Sequence, residues 1–137
     1  MVKNAIKKNV LKIVSSKNMI KVLDELKWKI LQNSIKELPF PPPYVIKDIR
    51  ESEQSYHEFS EDVWYWGDWS NEALLNGNLF AIEWIKVRPR YIKKYGKLIP
   101  NKVIDETNEF MDMLNKHQIP FEKYNDIFMI YGYKKIY

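Results

Sequence analysis

Apolar side chains are densest between residues 79 and 87. This stretch is rich in Ile, Val, Phe and Trp, which favour strands, and the preceding Asn76 and Gly77 favour a turn. Read with a period of two, both faces are mostly apolar, which predicts an interior strand covered on both sides. Such a strand needs neighbours, and the apolar runs at 121–124 and 127–133 are the expected partners.

Apolar residues at helical spacing predict three helices. The lysine-rich start of the chain carries a short helical face from 6 to 14, and a longer stripe runs from 20 to 38, where Pro39 ends it. Asn101 is expected to cap a third helix that closes at Pro120. The expected buried face of this helix consists of Val103, Thr107, Phe110, Met111 and Leu114.

The remaining segments complete an α+β pattern. The prolines at 41–43 predict a stiff connector into a strand at 44–49, and residues 51–62 lack an apolar period and predict a loop. A strand and turn are expected at 63–69, and a hairpin at 121–133. The predicted fold is a single small sheet of about five strands with helices mainly on one face: two N-terminal helices and one before the C-terminal hairpin.

Length and composition indicate one domain. At 137 residues the chain has the size of a single domain, 1–137, in which 1–18 is a candidate basic helical extension. The absence of cysteine excludes disulfides and thiolate metal sites. No apolar run is long enough to span a membrane, and the N-terminus lacks the apolar core of a signal peptide. We therefore expect a cytoplasmic protein without a membrane partner, and the sequence leaves its oligomeric state open.

The net charge of +4 conceals blocks of one sign. Residues 51–83 contain eight carboxylates and no lysine or arginine, whereas residues 84–102 contain seven basic side chains and no acidic one. Segregated charge of this kind steers partners toward a surface. The alternative is that the two blocks face each other within the fold.

The acidic block includes an aromatic stretch at 63–69, with four aromatic rings. Either these rings cover the sheet, or they form a binding hot spot ringed by carboxylates. Trp69 follows Gly67 and Asp68, a turn sequence that leads away from the sheet, and it is expected to be exposed. The candidate partner-binding residues are Glu53, Glu58, Glu61, Asp62, Trp64, Trp66, Asp68, Trp69 and Glu72.

No catalytic or metal-binding motif is found in the sequence. Glu83 and Lys86 are three residues apart, so a strand sends them to opposite faces and they cannot share a metal-bound water unless a β-bulge restores the register. His57 and His117 lack the spacing of a zinc site. Because a carboxylate on an apolar face is costly unless paired, Glu83 is expected to pair with Arg88, Arg90 or a helix lysine, and a catalytic carboxylate is the alternative. No metal or cofactor is predicted.

Several segments carry a family resemblance: LPFPPPYVIKDI, IEWIKVRPRY, GKLI, IDETNEF and IPFEKYNDIFMIYGY. As a set, they resemble a family of small uncharacterised bacterial proteins classed as a domain of unknown function, over roughly residues 28–133. Proteins of this size and type are similar to the immunity proteins that neutralise polymorphic bacterial toxins. That similarity implies a non-catalytic protein that binds a cognate toxin.

Two functions follow as hypotheses. In the first, an immunity or antitoxin protein uses the acidic, aromatic-rich surface to cover the basic active site of a toxin, for example a nuclease, because carboxylates mimic its phosphate substrate. In the second, a nucleic-acid-binding module uses the basic helices and the 86–97 loop, with Tyr91 and Tyr95 stacking on bases.

Overall fold

The computed structural model describes residues 2–52 and 61–136. The predictions for Glu53, His57 and Glu58 concern residues outside this part of the chain. In chain order the helices and strands are α1 (Val2–Ser16), β1 (Met19–Lys21), α2 (Glu25–Ser34), β2 (Tyr44–Asp48), β3 (Ile82–Val87), β4 (Arg90–Lys93), β5 (Lys102–Asp105), α3 (Thr107–Lys116), β6 (Glu122–Tyr124), β7 (Ile127–Tyr131) and β8 (Tyr133–Lys135).

The main sheet is antiparallel and has the strand order β2-β3-β7-β6. The predicted interior strand is confirmed, since β3 lies between β2 and β7, with Ile85 opposite both Ile46 and Ile130. It begins at Ile82 because Leu79–Ala81 form a 3-10 turn. The α+β class is confirmed, with a main sheet of four strands and two further two-stranded sheets, β1-β8 and β4-β5.

The main core is formed by side chains of α2, α3 and the central strands. Leu31, Ile85, Phe110 and Phe128 are fully buried in it. The rings of Phe110 and Phe128 meet edge to face with centroids 5.1 Å apart, a favoured arrangement that adds to the hydrophobic effect. The helical face predicted for α3 is therefore confirmed at Phe110.

A second, smaller cluster joins α1 to the domain. Val10 packs there with Met19, Phe80 and Tyr133, and the Tyr133 hydroxyl donates a hydrogen bond to Phe80 O at 2.6 Å. The basic N-terminal helix therefore has a buried contact of its own with the fold.

The helix predicted from 20 to 38 is wrong at its start. Asn18 adopts a positive φ of 52° after α1, and Ile20 then pairs with Lys134 in the β1-β8 sheet. Helix α2 begins later, where the Asp24 side chain accepts a hydrogen bond from Lys27 N at 2.9 Å. The apolar spacing matched a helix, but pairing with a distant strand overrides local preference.

The third helix also begins later than predicted. Residues 102–105 form β5 and pair with β4, so Val103 is exposed and does not belong to a buried helical face. Asn101 caps no helix, and Asp105 Oδ1 instead accepts a hydrogen bond from Thr107 N at 2.7 Å at the start of α3. The residue at the cap position is Glu106, and its side chain makes no capping hydrogen bond, so the predicted cap is wrong.

Glu83 is paired, as expected, but with a different cation. It lies at a shift in the β2-β3 register, where its Oε1 contacts Lys47 Nζ at 2.6 Å. Lys47 is almost wholly buried and also donates to Glu51 O at 3.3 Å. The buried carboxylate is therefore neutralised across the sheet, and neither Arg88 nor Arg90 is its partner.

We expect Lys47→Met to lower the free energy of unfolding by about 3–5 kcal/mol, because it strands a buried carboxylate. The double variant Lys47→Met with Glu83→Leu should recover most of this loss, since it removes both charges. Lys134→Met is the matched control: it breaks a bridge to Glu122 of the same 2.6 Å length between exposed side chains, which should cost less than about 1 kcal/mol. Chemical denaturation of the four proteins measures the difference, and equal losses for the two lysines would contradict the assignment.

Candidate functional site

The aromatic stretch is held against the three consecutive prolines at 41–43. Prolines have no amide hydrogen to donate, but their carbonyls accept. Gly67 N donates to Pro41 O at 3.0 Å, and Trp69 Nε1 donates to Pro42 O at 2.9 Å. A Cβ at Gly67 would lie 2.0 Å from Pro42 O, so this close crossing requires glycine. The segment is irregular rather than the strand that its alternation predicted.

Trp69 belongs to the core, and the prediction that it is exposed is wrong. Its side chain is 8% exposed and packs on Tyr44 with ring centroids 4.5 Å apart. Gln32 Nε2 donates to Trp69 O at 2.8 Å. The turn at Gly67 and Asp68 directs the chain inward because the indole N–H finds a carbonyl acceptor there, which a buried tryptophan requires.

Three rings before the turn form an exposed surface, called the aromatic surface below: Trp64, Tyr65 and Trp66. Trp64 is 66% exposed and Trp66 is 54% exposed. Trp64 and Tyr65 contact each other edge to face at 5.8 Å. Of the two alternatives left open by the sequence, these three rings follow the second: they are exposed to solvent and do not cover the sheet.

The aromatic surface is anchored from below by two rings that sequence reasoning did not single out as a support. Trp66 stacks on Phe40 at 6.3 Å and meets Tyr91 edge to face at 6.0 Å. Phe40 is buried and contacts Tyr91 at 4.7 Å. Ile92 N of β4 also donates to Val63 O at 2.7 Å. One side of Trp66 is therefore fixed by the core, and the other side is open.

Asp62 interacts with the basic block of its own chain. Arg90 Nε and Nη2 donate to its two oxygens, each at 2.6 Å, and the Arg88 guanidinium lies 3.9 Å away. These hydrogen bonds from Arg90 hold the pKa of the Asp62 carboxyl below its usual value. Asp126 lies 3.4 Å from Arg88 and 3.7 Å from Arg90, which extends the network. At this point the acidic and basic blocks face one another, which was the alternative left open by the sequence.

The other described candidate carboxylates, Glu61, Asp68 and Glu72, are exposed. Asp68 Oδ1 accepts a hydrogen bond from Ser70 N at 3.0 Å, and this bond lowers the pKa of the Asp68 carboxyl. Asp68 lines one groove together with Tyr65 and Trp66, whereas Asp62 and Trp69 are held by Arg90 and Tyr44 of the same chain. Glu53 and Glu58 lie outside the described residues.

The β4-β5 hairpin adds cations beside these rings. Lys94 Nζ lies 4.9 Å from the centre of the Trp64 ring, and Lys93 Nζ lies 5.3 Å from that of Tyr95. Both are cation–π distances. At the tip, Leu98 is 97% exposed. The surface therefore combines aromatic and apolar groups with both signs of charge.

Glu106, a buried carboxyl, supports the anchor from behind. Its side chain is 1% exposed, and its Oε1 accepts a hydrogen bond from Phe40 N at 3.2 Å. Burial is the main cause that raises the pKa of Glu106 from its ordinary 4.5 to about 8, with further contributions from the nearby charges of Glu109 and Asp105. The sequence analysis did not single out Glu106, since nothing local in the sequence indicates its contact with Phe40.

Within residues 2–52 and 61–136, no group of three His, Asp or Glu side chains is arranged to hold a metal ion. His117 Nε2 instead lies 2.9 Å from Glu37 Oε2. In the same part of the chain, no helix combines the length and apolarity needed to cross a lipid bilayer.

The geometry thus defines this protein as an α+β domain with an anchored, solvent-exposed aromatic surface. A family model described as a family of unknown function (DUF6678) matches residues 10–136, and the chain belongs to this family. No curated protein and no solved structure matches the chain.

Trp69→Ala should lower the free energy of unfolding by about 3–5 kcal/mol, because it empties a core position and leaves Pro42 O without its indole donor. Trp64→Ala removes an exposed ring and should change it by less than about 0.5 kcal/mol. Denaturation curves of the two variants provide the measurement. Similar losses in both would show that the exposed rings are as structural as Trp69.

Glu106 predicts a pH dependence of stability. Its folded pKa of about 8 exceeds the ordinary 4.5 expected in the unfolded chain, so the folded state binds the proton more tightly. Its contribution is fully present below about pH 4.5 and is lost as the pH rises through about 8, an effect of a few kcal/mol. Glu106→Gln keeps an acceptor for Phe40 N without the charge and should abolish this decline.

Denaturation at a series of pH values measures the decline in the wild type and in Glu106→Gln. Asp112→Asn, which removes an exposed carboxylate in the same helix, is the control and should retain the slope. A Glu106→Gln profile parallel to that of the wild type would rule out Glu106 as its source.

Proposed function

We propose that this protein is a non-catalytic binding protein of the immunity or antitoxin type, which neutralises a cognate bacterial toxin by covering its functional surface. The observation that supports this proposal is the aromatic surface, whose three rings are exposed although the chain around them is firmly held. Exposed aromatic rings of this kind are typical of binding hot spots.

Because it is anchored, Trp66 is better suited to contact a partner protein than a mobile surface ring would be. A ring that is already packed on Phe40 and Tyr91 loses little conformational freedom when a partner covers its open side, so more of the contact energy contributes to affinity. The two hydrogen bonds from Arg90 to Asp62 likewise restrict the backbone just before the aromatic surface.

Charge supports a partner with a basic surface. Glu61, Asp68 and Glu72 are exposed, and Asp68 lines a groove together with Tyr65 and Trp66. Carboxylates at the rim of an interface steer a cationic partner and raise its association rate. A nuclease toxin, whose cleft must attract phosphate, has the required charge. Asp62 and Glu83 do not add to this surface charge, because they are paired internally.

Trp64→Ala and Trp66→Ala should each weaken binding of the cognate toxin by about 2 kcal/mol or more, the hot-spot threshold, which is roughly thirtyfold in Kd. The candidate toxin is the product of the adjacent gene, and its affinity can be measured by calorimetry. Leu11→Ala, which removes an exposed apolar side chain of α1, is the control and should bind normally.

Each variant also requires a melting curve, because a loss of affinity is informative only if the fold is intact. Failure of the wild-type protein to bind the neighbouring product, or to protect cells that express it, would refute the immunity assignment. Wild-type binding that neither Trp64→Ala nor Trp66→Ala weakens would show instead that the partner uses another surface.

A second candidate function is nucleic-acid binding, which is favoured by the lysines stacked beside Trp64 and Tyr95. Rings flanked by cations form stacking platforms for single strands. Fluorescence titration with single-stranded and duplex oligonucleotides tests this second function. Nucleic-acid binding should be detected at low salt and should weaken steeply as salt is added.

A further inference from the structure

The strand β2 lies at the edge of the main sheet and is paired on one side, with β3. Arg88 N donates to Pro43 O at 3.2 Å, so the odd-numbered residues of this segment share hydrogen bonds with β3. In an antiparallel pair the intervening residues direct their backbone groups away. Tyr44 and Ile46 therefore present N–H and C=O groups at the free edge, along which no strand of the described residues pairs.

The edge ends in a defined way at Asp48. Its amide also points outward, and it donates to the Glu51 side chain at 3.2 Å. The Glu51 side chain thus satisfies the last amide of the strand. The unpaired backbone groups of this edge are therefore those of Tyr44 and Ile46. Unpaired edges attract other strands, so natural proteins usually cover or shorten them.

A groove of about 540 Å³ follows this open edge. Its floor is β2, and its opposite wall is formed by Tyr65, Trp66 and Gly67. The groove is therefore continuous with the aromatic surface. Gly67 is held to Pro41 O and Trp66 to Phe40, so the wall is fixed rather than formed on binding.

The groove is acidic. Among its described lining residues are two carboxylates, Glu51 and Asp68, and no lysine or arginine. An extended peptide places alternate side chains on one face. A peptide lying along β2 with cationic residues at alternate positions would direct them to these carboxylates.

We propose that this groove binds an extended, cationic peptide segment of the partner protein as an added strand on β2. Backbone hydrogen bonds to Tyr44 and Ile46 would provide the affinity, and Glu51, Asp68 and the Trp66 ring would select the sequence. The proposal rests on the proposed function, because Tyr65 and Trp66 belong to the same surface. It identifies which part of the partner is bound: a strand, rather than a folded face or a nucleic acid.

The test uses a blocked peptide of alternating threonine and lysine, titrated into the isotope-labelled full chain and followed by NMR. The amides of Tyr44 and Ile46 and the indole N–H of Trp66 should shift progressively, and their hydrogen exchange should slow. A peptide of alternating threonine and glutamate is the control and should leave these signals unchanged. Neither peptide requires the toxin, so this test can fail while the proposed function holds.

Two sets of variants separate backbone pairing from charge. Ile46→Pro removes the outward amide without removing a bond to β3 and should abolish binding, whereas Ile46→Val keeps the amide and should bind normally. Glu51→Gln with Asp68→Asn keeps the acceptors for Asp48 N and Ser70 N and removes both charges. This pair should weaken binding about fivefold, as expected for two exposed ion pairs.

Selective shifts at the β2 edge that Ile46→Pro removes would support the proposal. Three results would overturn it: equal shifts with both peptides, shifts confined to residues outside the groove, or no shift at millimolar lysine peptide. Slowed exchange of Ile46 in the free protein that depends on protein concentration would also overturn it, because the edge would then pair with a second copy of this chain. Since Ile46 is half-buried, the wild-type titration decides the matter if Ile46→Pro does not fold.

Discussion

The structure around the aromatic surface depends on the carbonyls of Pro41, Pro42 and Pro43. None of these residues can donate a backbone hydrogen bond, yet all three accept one, from Gly67, the Trp69 indole and Arg88. The segment therefore acts as a row of acceptors that fixes the entry to β2 on one side and the aromatic stretch on the other. Because a buried carbonyl without a partner is costly, these contacts hold the crossing in one arrangement.

Phe40, which precedes the three prolines, and Glu106, which precedes α3, continue this support. Phe40 packs under Trp66 and Tyr91, and its amide is held by Glu106. A carboxyl in an apolar environment favours its neutral form. Below its raised pKa of about 8, Glu106 is therefore a neutral hydrogen-bond acceptor, and above it Glu106 becomes a buried charge that destabilises the fold. The stability of the core and the placement of an exposed ring are thereby coupled through one residue.

The charges of this chain have two different roles. Asp62 and Glu83 interact with Arg90 and Lys47 of the same chain and contribute to folding. Glu51 and Asp68 line the groove beside the rings and the free edge of β2, where charge affects which partner approaches. Each of these carboxylates also accepts one local backbone hydrogen bond, from Asp48 N and Ser70 N respectively, which leaves its charge without a cation among the described ion pairs.

The sequence by itself determined the α+β class, the interior strand around Ile85 and the core position of Phe110, but it left open whether Trp64 and Trp66 cover the sheet or are exposed. These features follow from local periodicity, because alternation and helical spacing report directly which side chains are buried. Only the tertiary structure decided that residues 19–21 and 102–105 are strands, that Trp69 is buried, and that Glu83 pairs with Lys47. Each of these depends on a partner distant in sequence: β8, β4, Pro42 or β2. The local sequence pattern indicates that a strand or a buried polar group needs a partner. Only the fold determines which distant residue or strand is that partner.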